Sequence, residues 1–263
     1  MVLSLVIMGS SADRSAGDVA LPVAVGETIV DANGVPGTAT AWYPRANGFI
    51  KGAVVVSETA GMLECMFHKN TDANWNFMYW TQLQTATHHT NMINRLNYPI
   101  FVGDQISARG DNAGAVLDAL GLYVDMGKGG EVPTTENRPL PAGAILCHAT
   151  VTATFLADGV AEGVVVFDDF TPVRDVMYRV VGLSVNSATG HLARLNYITG
   201  PNTDDYPGVP CVDTEAAGSQ LNMMWYGDFG SFKGQTPPRV QAICSAADAA
   251  LDVVFCLVPG GKA

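Results

Sequence analysis

The stretch ISARGDNAGAVLDALGLYV, residues 106–124, is matched without a gap by VQAICSAADAALDVVFCLV, residues 240–258. The offset of 134 residues is about half of the 263-residue chain. Both stretches predict a strand, a turn of small residues and a second strand. The match favours an internal duplication, although chance similarity between alanine-rich segments is the alternative. Identical residues occupy the aligned positions Ala108 and Ala242, Ala113 and Ala247, Ala115 and Ala249, Leu117 and Leu251, Asp118 and Asp252, and Val124 and Val258.

A second pair of strand–turn–strand segments supports the duplication. The segment 49–68 turns at Gly61, and the segment 178–198 turns at Gly190. This offset is 129 residues, so one small insertion reconciles it with the offset of 134. The stretch QLNMMWY at 220–226 also resembles the aromatic strand at 75–80 in position and character.

The stretch GKGGEVPTTENRPLP at 127–141 lies between the two copies and has no apolar periodicity, which is typical of a linker. It predicts a first domain at 1–126, a linker at 127–143 and a second domain at 144–263. The apolar start MVLSLVIMG predicts a first strand or, within residues 1–17, an arm that packs on a neighbouring molecule. A weak signal peptide is less favoured, because the stretch is short and lacks basic residues.

Each half contains about eight short stretches with strand character, separated by turns rich in Gly, Pro, Asn and Asp. Residues 85–96 lack this alternation and predict a short helix or loop, and residues 200–210 predict a loop. Regularly spaced strands predict an all-β sandwich, and a jelly roll has eight strands in two sheets. The predicted fold is therefore two tandem eight-stranded jelly-roll sandwiches, a double jelly roll. Other sandwiches, or one larger sandwich without a repeat, are the alternatives.

The composition limits the possible partners of the chain. Charged residues make up only 15%, below the roughly 25% usual in soluble domains. Such a surface suits a chain whose faces are covered by copies or partners. The net charge of −11 argues against direct binding to nucleic acid, which needs a basic surface.

The five cysteines lack CxxC spacing and mostly lie in apolar runs, so buried free thiols are predicted. No apolar run has the length of a transmembrane helix.

The sequence holds none of the common catalytic motifs: GxSxG, the P-loop, HExxH and GxGxxG are absent. The tripeptide Asp-Phe-Gly at 228–230 lacks the other kinase motifs and predicts a turn. His68, His88 and His89 lack a carboxylate or Cys at a spacing that would complete a metal site. We therefore predict no catalytic, metal-binding or cofactor-binding residue, and we expect no enzymatic activity.

Several other residues allow two interpretations. The acidic pairs at 168–169 and 204–205 lie in turn-like surroundings, with calcium binding or acid–base catalysis as alternatives. In the tripeptide Arg-Gly-Asp at 109–111, Gly110 and Asp111 fit a turn that leaves a strand, with adhesion as the alternative. Seven aromatic residues are predicted to fill the core or anchor an interface, with stacking on sugars as the alternative: Trp42, Tyr43, Trp75, Tyr79, Trp80, Trp225 and Tyr226.

The paired segments 106–124 and 240–258, the paired units around Gly61 and Gly190, and the central linker resemble the double jelly-roll major capsid proteins of icosahedral viruses. That class includes tailless bacteriophages with an internal membrane. The resemblance is architectural and transfers no role to any residue. It implies a homotrimer that forms a pseudo-hexagonal capsomer, with the jelly-roll axes roughly upright to the shell.

We therefore expect a structural capsid protein of a virion, which associates with itself in trimers and then in a capsid lattice. Its expected partners are other capsid proteins and an internal membrane, without direct sequence-specific binding to nucleic acid and without a cofactor. The alternative is a two-module carbohydrate-binding or adhesion protein. A third hypothesis, a glycoside hydrolase, needs two carboxylates in a cleft, and the sequence identifies no such pair.

Overall fold

The computed structural model of the protein describes most of the chain. The described residues form 19 β-strands in three antiparallel sheets, which confirms that the chain is all-β. This part of the chain holds no helix with the length and apolarity needed to cross a bilayer. The described residues are 3–10, 19–20, 41–57, 62–70, 76–82, 89–93, 96–111, 118–136, 139–152, 159–198, 206–212, 224–244 and 251–262.

The first half of the chain contributes ten described strands to two five-stranded sheets. These strands are β1 (Ser4–Ser10), β2 (Val19–Ala20), β3 (Ala41–Trp42), β4 (Gly48–Ser57), β5 (Met62–Lys69), β6 (Asn76–Gln82), β7 (His89–Ile93), β8 (Tyr98–Ile100), β9 (Ile106–Asp111) and β10 (Asp118–Asp125). The central sheet has the order β1-β10-β4-β7, with β8 also on β4. The outer sheet has the order β2-β9-β5-β6, with β3 also on β9.

The second half contributes nine described strands to one sheet. These strands are β11 (Ile145–Thr152), β12 (Gly159–Phe167), β13 (Val176–Asn186), β14 (Gly190–Asn196), β15 (Gly208–Pro210), β16 (Trp225–Tyr226), β17 (Ser231–Lys233), β18 (Arg239–Cys244) and β19 (Leu251–Lys262). Their order is β15-β14-β18-β12-β11-β19-β13-β16, with β17 also on β13. The sheet nearly closes on itself, because a parallel bridge joins Asn186 to Val212, just beyond β15.

The two halves use the same nested pairing of strands. In the first half, β1 pairs with β10, β2 and β3 pair with β9, β4 pairs with β7 and β8, and β5 pairs with β6. In the second half, β11 pairs with β19, β12 with β18, β13 with β16 and β17, and β14 with β15. The two halves differ in one respect. In the second half β11 also pairs with β12, so strands that were predicted to form the two sheets of a sandwich form one continuous sheet.

The gapless sequence match does not hold for the last strand of each half. Leu120 and Leu122 point into the core between the central and outer sheets. The match aligns them with Val254 and Cys256, but the residues that enter the core of the second half are Val253 and Phe255. A shift of one residue moves every side chain of a strand to the opposite face. When the buried faces of β10 and β19 are matched, the offset between equivalent residues therefore differs from 134 by an odd number.

The described side chains in the middle of β1, β4 and β10 are buried on both faces of the central sheet. One face packs against the outer sheet through residues such as Val55 and Leu122, which share a core with Trp42 of β3. The other face packs against the second half, where Leu192 of β14 and Ile243 of β18 complete the cluster. The residues of the first half in that cluster are Leu3, Leu5, Ile7, Val54, Val56, Ala119 and Tyr123. The chain is therefore layered, with the central sheet between the outer sheet and the second half.

The core of the second half lies inside the curve of the nine-stranded sheet. Aromatic rings fill one end of it. Phe232 stacks on Tyr178 with ring centroids 5.6 Å apart, and Phe170 meets Tyr178 edge-on at 5.5 Å. Phe167 contacts both Phe232 and Phe255. Such offset and edge-on pairs are favourable geometries for buried aromatic rings.

Three local predictions were wrong. The segment 85–96 contains β7 and the segment 200–210 contains β15, although neither was predicted to hold a strand. Both are short strands at the end of a sheet, so pairing with a neighbour, rather than an alternating pattern, defines them. The stretches 75–80 and 220–226 are also not equivalent, because β6 pairs with β5 whereas β16 pairs with β13.

Residues 3–8 form part of a buried strand rather than a free arm. β1 pairs with β10 along its whole length, and Ser4 bridges to Pro207 of the second half. The predicted linker also contacts both halves, since Leu3 donates a hydrogen bond to Glu131 and Thr134 exchanges two with Tyr226. The division into domains at 127–143 stays a prediction.

The buried cysteines lead to a prediction for alkaline pH. Cys147, Cys211, Cys244 and Cys256 are free and buried, and burial raises the pKa of Cys147 and Cys244 from the usual 9 to about 12. The unfolded chain therefore releases protons above pH 9 that the folded chain retains. We expect the free energy of unfolding to fall as the pH rises from 9 towards 12.

Alkylation tests the same burial directly. With Cys65→Ser removing the fifth thiol, iodoacetamide at pH 8 should add no label to the folded chain and four labels in urea, as mass spectrometry would show. Rapid labelling of the folded protein would contradict this burial.

Candidate functional site

The structure describes only part of the predicted histidine and acidic groups. His68 lies in β5 and His89 in β7, where the side chains are not described, and His88 and the pair at 204–205 lie outside the described residues. Among the residues that are described, no three His, Cys, Asp or Glu side chains come close enough to hold a metal ion.

The acidic pair at 168–169 is the turn that the sequence predicts, at the end of β12. Asp168 accepts a hydrogen bond from the Thr150 hydroxyl at 3.1 Å, and Asp169 accepts one from the His148 backbone N–H at 2.9 Å. Both carboxylates therefore hold this turn against β11.

The Asp-Phe-Gly tripeptide at 228–230 is also a turn. The backbone N–H of Gly230 donates to Asp228 Oδ1 at 3.3 Å, and Gly230 has a φ of 95° that favours glycine. Phe229 is buried in the core of the second half, so this motif is structural.

Gly110 and Asp111 of the Arg-Gly-Asp tripeptide lie in a strand, so the prediction of a turn at these two residues was wrong. All three residues lie within β9, where they pair with Glu64, Cys65 and Met66 of β5. Gly110 and Arg109 also pair with β2 on the other side. The backbone of the tripeptide is therefore held inside a sheet.

The described aromatic side chains belong mainly to the core. Trp42 is 3% exposed and Trp225 is 8% exposed, and Tyr43 packs against the core of the first half. Trp75 lies outside the described residues, and the side chains of Tyr79 and Trp80 are not described. The burial of Trp225 removes it as a stacking platform for a sugar.

A polar network, which the sequence did not suggest, crosses the interface between the halves. Arg194 of β14 is fully buried. Its Nε donates to Gln241 Oε1 at 2.8 Å and its Nη1 donates to the Leu5 carbonyl at 3.0 Å. The guanidinium also lies over the ring of Tyr206, 4.7 Å from the centroid. Arg194 therefore ties the second half to the first strand of the chain.

The network continues to the surface through Glu162 of β12. Glu162 accepts hydrogen bonds from Gln241 Nε2 at 3.0 Å and from Asn196 Nδ2 at 2.5 Å. It also forms an ion pair with Arg239 at 2.9 Å, in which Arg239 is half exposed. Each member orients the next, so the network specifies how β12, β14 and β18 meet the first half.

Two clefts lie among the described residues, and the second of them includes Leu5 and Tyr206 of this network. The linker cleft, of about 560 Å³, lies between residues 130–141 and strands β13 and β16. Its polar lining includes Glu131, Thr134, Arg179, Tyr226 and Asp228.

The first-strand cavity, of about 300 Å³, lies beside β1. Arg45 and Lys128 contribute positive charge to its lining. Its apolar and aromatic lining consists of Leu5, Val6, Trp42, Ala46, Met126 and Tyr206.

The second half also exposes an apolar part of its sheet, which we call the outer face. Leu146 of β11 is 56% exposed, and Val164 and Val166 of β12 are each 49% exposed. Val166 pairs with Thr150 and Val164 pairs with Thr152, so uncharged β-branched side chains lie side by side. Because β12 also pairs with β18, the outer face continues directly into the interface with the first half.

Comparison with known proteins gives no family. No family model matches the chain, and no curated protein matches it in sequence. Among solved structures, the chain is similar to the one titled "Crystal structure of PBSX exported protein XepA", with 8% sequence identity. The alignment covers 93% of this chain and 88% of the other, with a TM-score of 0.21. A likeness this weak contributes nothing to the argument on function.

Proposed function

We propose that the protein is a structural subunit of an icosahedral virus capsid, in which each half is a jelly roll. The observation that carries the proposal is the repeated nested pairing of eight strand positions, first with last and second with next to last, in both halves. A jelly roll is a long hairpin rolled up in this order, and it is a common fold of viral shells. The second half differs because β11 also pairs with β12. This pairing joins the two sheets of the jelly roll along one edge.

Rigid association of the halves supports a role in a shell. The halves share a continuous apolar cluster and a buried hydrogen bond from the Tyr123 hydroxyl to the Gly208 carbonyl at 3.1 Å. A subunit that keeps one fixed shape presents the same lateral surfaces to every neighbour, which a closed lattice requires.

The outer face supplies a surface for such contacts. Leu146, Val164 and Val166 are exposed and uncharged, so covering them with a second copy buries apolar area. In this proposal the subunit forms homotrimers and then a capsid lattice, contacts other capsid proteins and an internal membrane, and has no catalytic activity.

The first test is the mass of the native species, measured by light scattering on a sizing column with negative-stain microscopy of the same sample. We expect trimers or hexagonally packed capsomers. A monomer that never assembles across salt and pH would contradict the proposal.

A pair of variants tests whether the outer face makes the contact. Val164→Lys with Val166→Lys is expected to shift the assembled species to monomer, because two charges would be desolvated at each contact. Val173→Lys is the matched control, since Val173 is 60% exposed in the loop between β12 and β13. It should leave the mass unchanged.

The alternative is a carbohydrate-binding protein, and the linker cleft is the observation that favours it. Tyr226 offers a ring, and Arg179 and Asp228 offer charged hydrogen-bonding groups within the same cleft. Such a mixture suits a sugar. A monomer that binds glycans in this cleft would support the alternative over the capsid proposal.

A further inference from the structure

We propose that the first-strand cavity binds a single-chain anionic amphiphile, with the alkyl chain inside the cavity and the anionic head at Arg45 and Lys128. The proposal does not depend on the capsid function. It rests on the combination of apolar walls, two cations and a neighbouring apolar surface at the same end of the molecule.

The walls of the cavity suit an alkyl chain. Trp42 comes from β3, Met126 directly follows β10, and Leu5 and Val6 come from the buried strand β1. Tyr206 closes the cavity from the second half. Its volume of about 300 Å³ is at the lower end for small-molecule sites, which are mostly apolar with a few polar groups that set orientation.

Contacts within the protein hold Tyr206 at the wall of the cavity. The Tyr206 carbonyl accepts a hydrogen bond from the Leu5 N–H at 2.8 Å, and the Tyr206 N–H donates to Ser4 Oγ at 3.2 Å. The ring of Tyr206 is held in addition by the buried guanidinium of Arg194. A preformed wall lowers the ordering cost of binding.

The charges around the cavity favour an anion. Arg45 and Lys128 are both exposed, and within the described residues Arg45 makes no ion pair. The neighbouring carboxylate, Asp125, is directed at backbone N–H groups, since its Oδ1 accepts hydrogen bonds from residues 127, 128 and 129. A guanidinium binds a carboxylate, sulfate or phosphate head through two parallel hydrogen bonds. Arg45 and Lys128 thus place two cations at the cavity of a chain with a net charge of −11.

An exposed apolar tip lies next to the cavity. Phe101 is 51% exposed and Val102 is 63% exposed, and Asp104 fixes the turn by accepting a hydrogen bond from the Phe101 N–H at 2.8 Å. The Val102 N–H donates to Asn47 Oδ1 at 2.9 Å, next to Arg45 and Ala46 of the cavity. Exposed apolar side chains beside cations are typical of surfaces that meet lipids.

The binding test uses laurate below its micelle concentration, measured by isothermal titration calorimetry, with near-UV circular dichroism to show that the fold persists. Wild type should bind laurate saturably. Arg45→Ser with Lys128→Ser should weaken binding about tenfold or more, because the charge-assisted contacts are lost. Ala46→Trp should abolish binding by filling the cavity. Arg174→Ser with Lys233→Ser, two exposed cations of the second half, is the matched control and should bind as wild type does.

Vesicles distinguish the two sources of such a ligand. If wild type also sediments with phosphatidylcholine vesicles that contain lysophosphatidylglycerol, a single-chain anionic lipid, and Phe101→Ser prevents sedimentation but not laurate binding, the ligand is a single-chain membrane lipid reached through the tip. If laurate binds and vesicles do not, the ligand is a free amphiphile. Absence of saturable laurate binding, or binding that neither set of cavity variants changes, would overturn the proposal. These results are separate from the assembly state, which tests the capsid function.

Discussion

Replacing Arg194 by alanine is expected to lower the free energy of unfolding by about 3–5 kcal/mol. Arg194 is fully buried and donates to Gln241 and to the Leu5 carbonyl. Alanine leaves both buried acceptors without this donor, at about 1–3 kcal/mol each, and adds a cavity beside Tyr206.

The measurement is equilibrium urea unfolding followed by tryptophan fluorescence, with the free energy extrapolated to water. The matched control is Arg239→Ala. Arg239 is in the same network but is half exposed, with its ion pair to Glu162 at the surface, so its loss should cost less than about 1 kcal/mol. Equal effects of the two substitutions would show that the buried network does not join the halves.

Replacing Gly208 by alanine is expected to destabilise the protein by about 3 kcal/mol, because there is no room for a Cβ atom. A Cβ at this position would lie 2.4 Å from the Ala193 carbonyl oxygen and 2.7 Å from Leu5 Cδ2. The first contact is with the backbone of the paired strand β14, so β15 and β14 would have to separate. Overpacking of a well-packed core typically costs about 1–3 kcal/mol.

The same unfolding experiment measures this effect, with Gly260→Ala as the control. Gly260 also lies in a strand, but its nearest neighbour would be 3.4 Å from a new Cβ, which is close to an ordinary contact. We expect Gly260→Ala to change stability by less than about 0.5 kcal/mol. A stable Gly208→Ala variant would mean that β15 is not held tightly between β14 and β1.

The sequence was a good guide where the signal is local. Alternation of side chains along a strand and the turn chemistry between strands predicted that β4 and β5, β9 and β10, β13 and β14, and β18 and β19 follow one another as strands. In the part of the chain that the structure describes, the two members of each couple pair with other strands and not with each other. The turn at 168–169 and the buried thiols were also predicted. These features depend on a few neighbouring residues, so their physical cause is visible in a short window.

The sequence was a poor guide to the structure of segments whose conformation depends on pairing with a strand from elsewhere in the chain. The short strands β7 and β15 exist because a neighbouring strand offers hydrogen bonds, and no pattern within them shows this. Gly110 and Asp111 were assigned to a turn, but pairing with β5, and with β2 at Gly110, extends them as a strand. The sequence alignment of β10 with β19 also did not show that aligned residues point to opposite faces of their sheets, because the same apolar residue types can be buried on either face of a strand.

By itself, the sequence determined the all-β class, the repeated strand–turn–strand units and the low charge of the surface, because each follows from composition or from a period of two residues. Only the tertiary structure decided which faces of the sheets are covered. It buried β1, β4 and β10 on both sides, placed Arg194 against Leu5, and formed the first-strand cavity from residues 4–6, 42–46, 126–128 and 206. Contacts between segments so far apart depend on how whole sheets pack, and no local pattern records that.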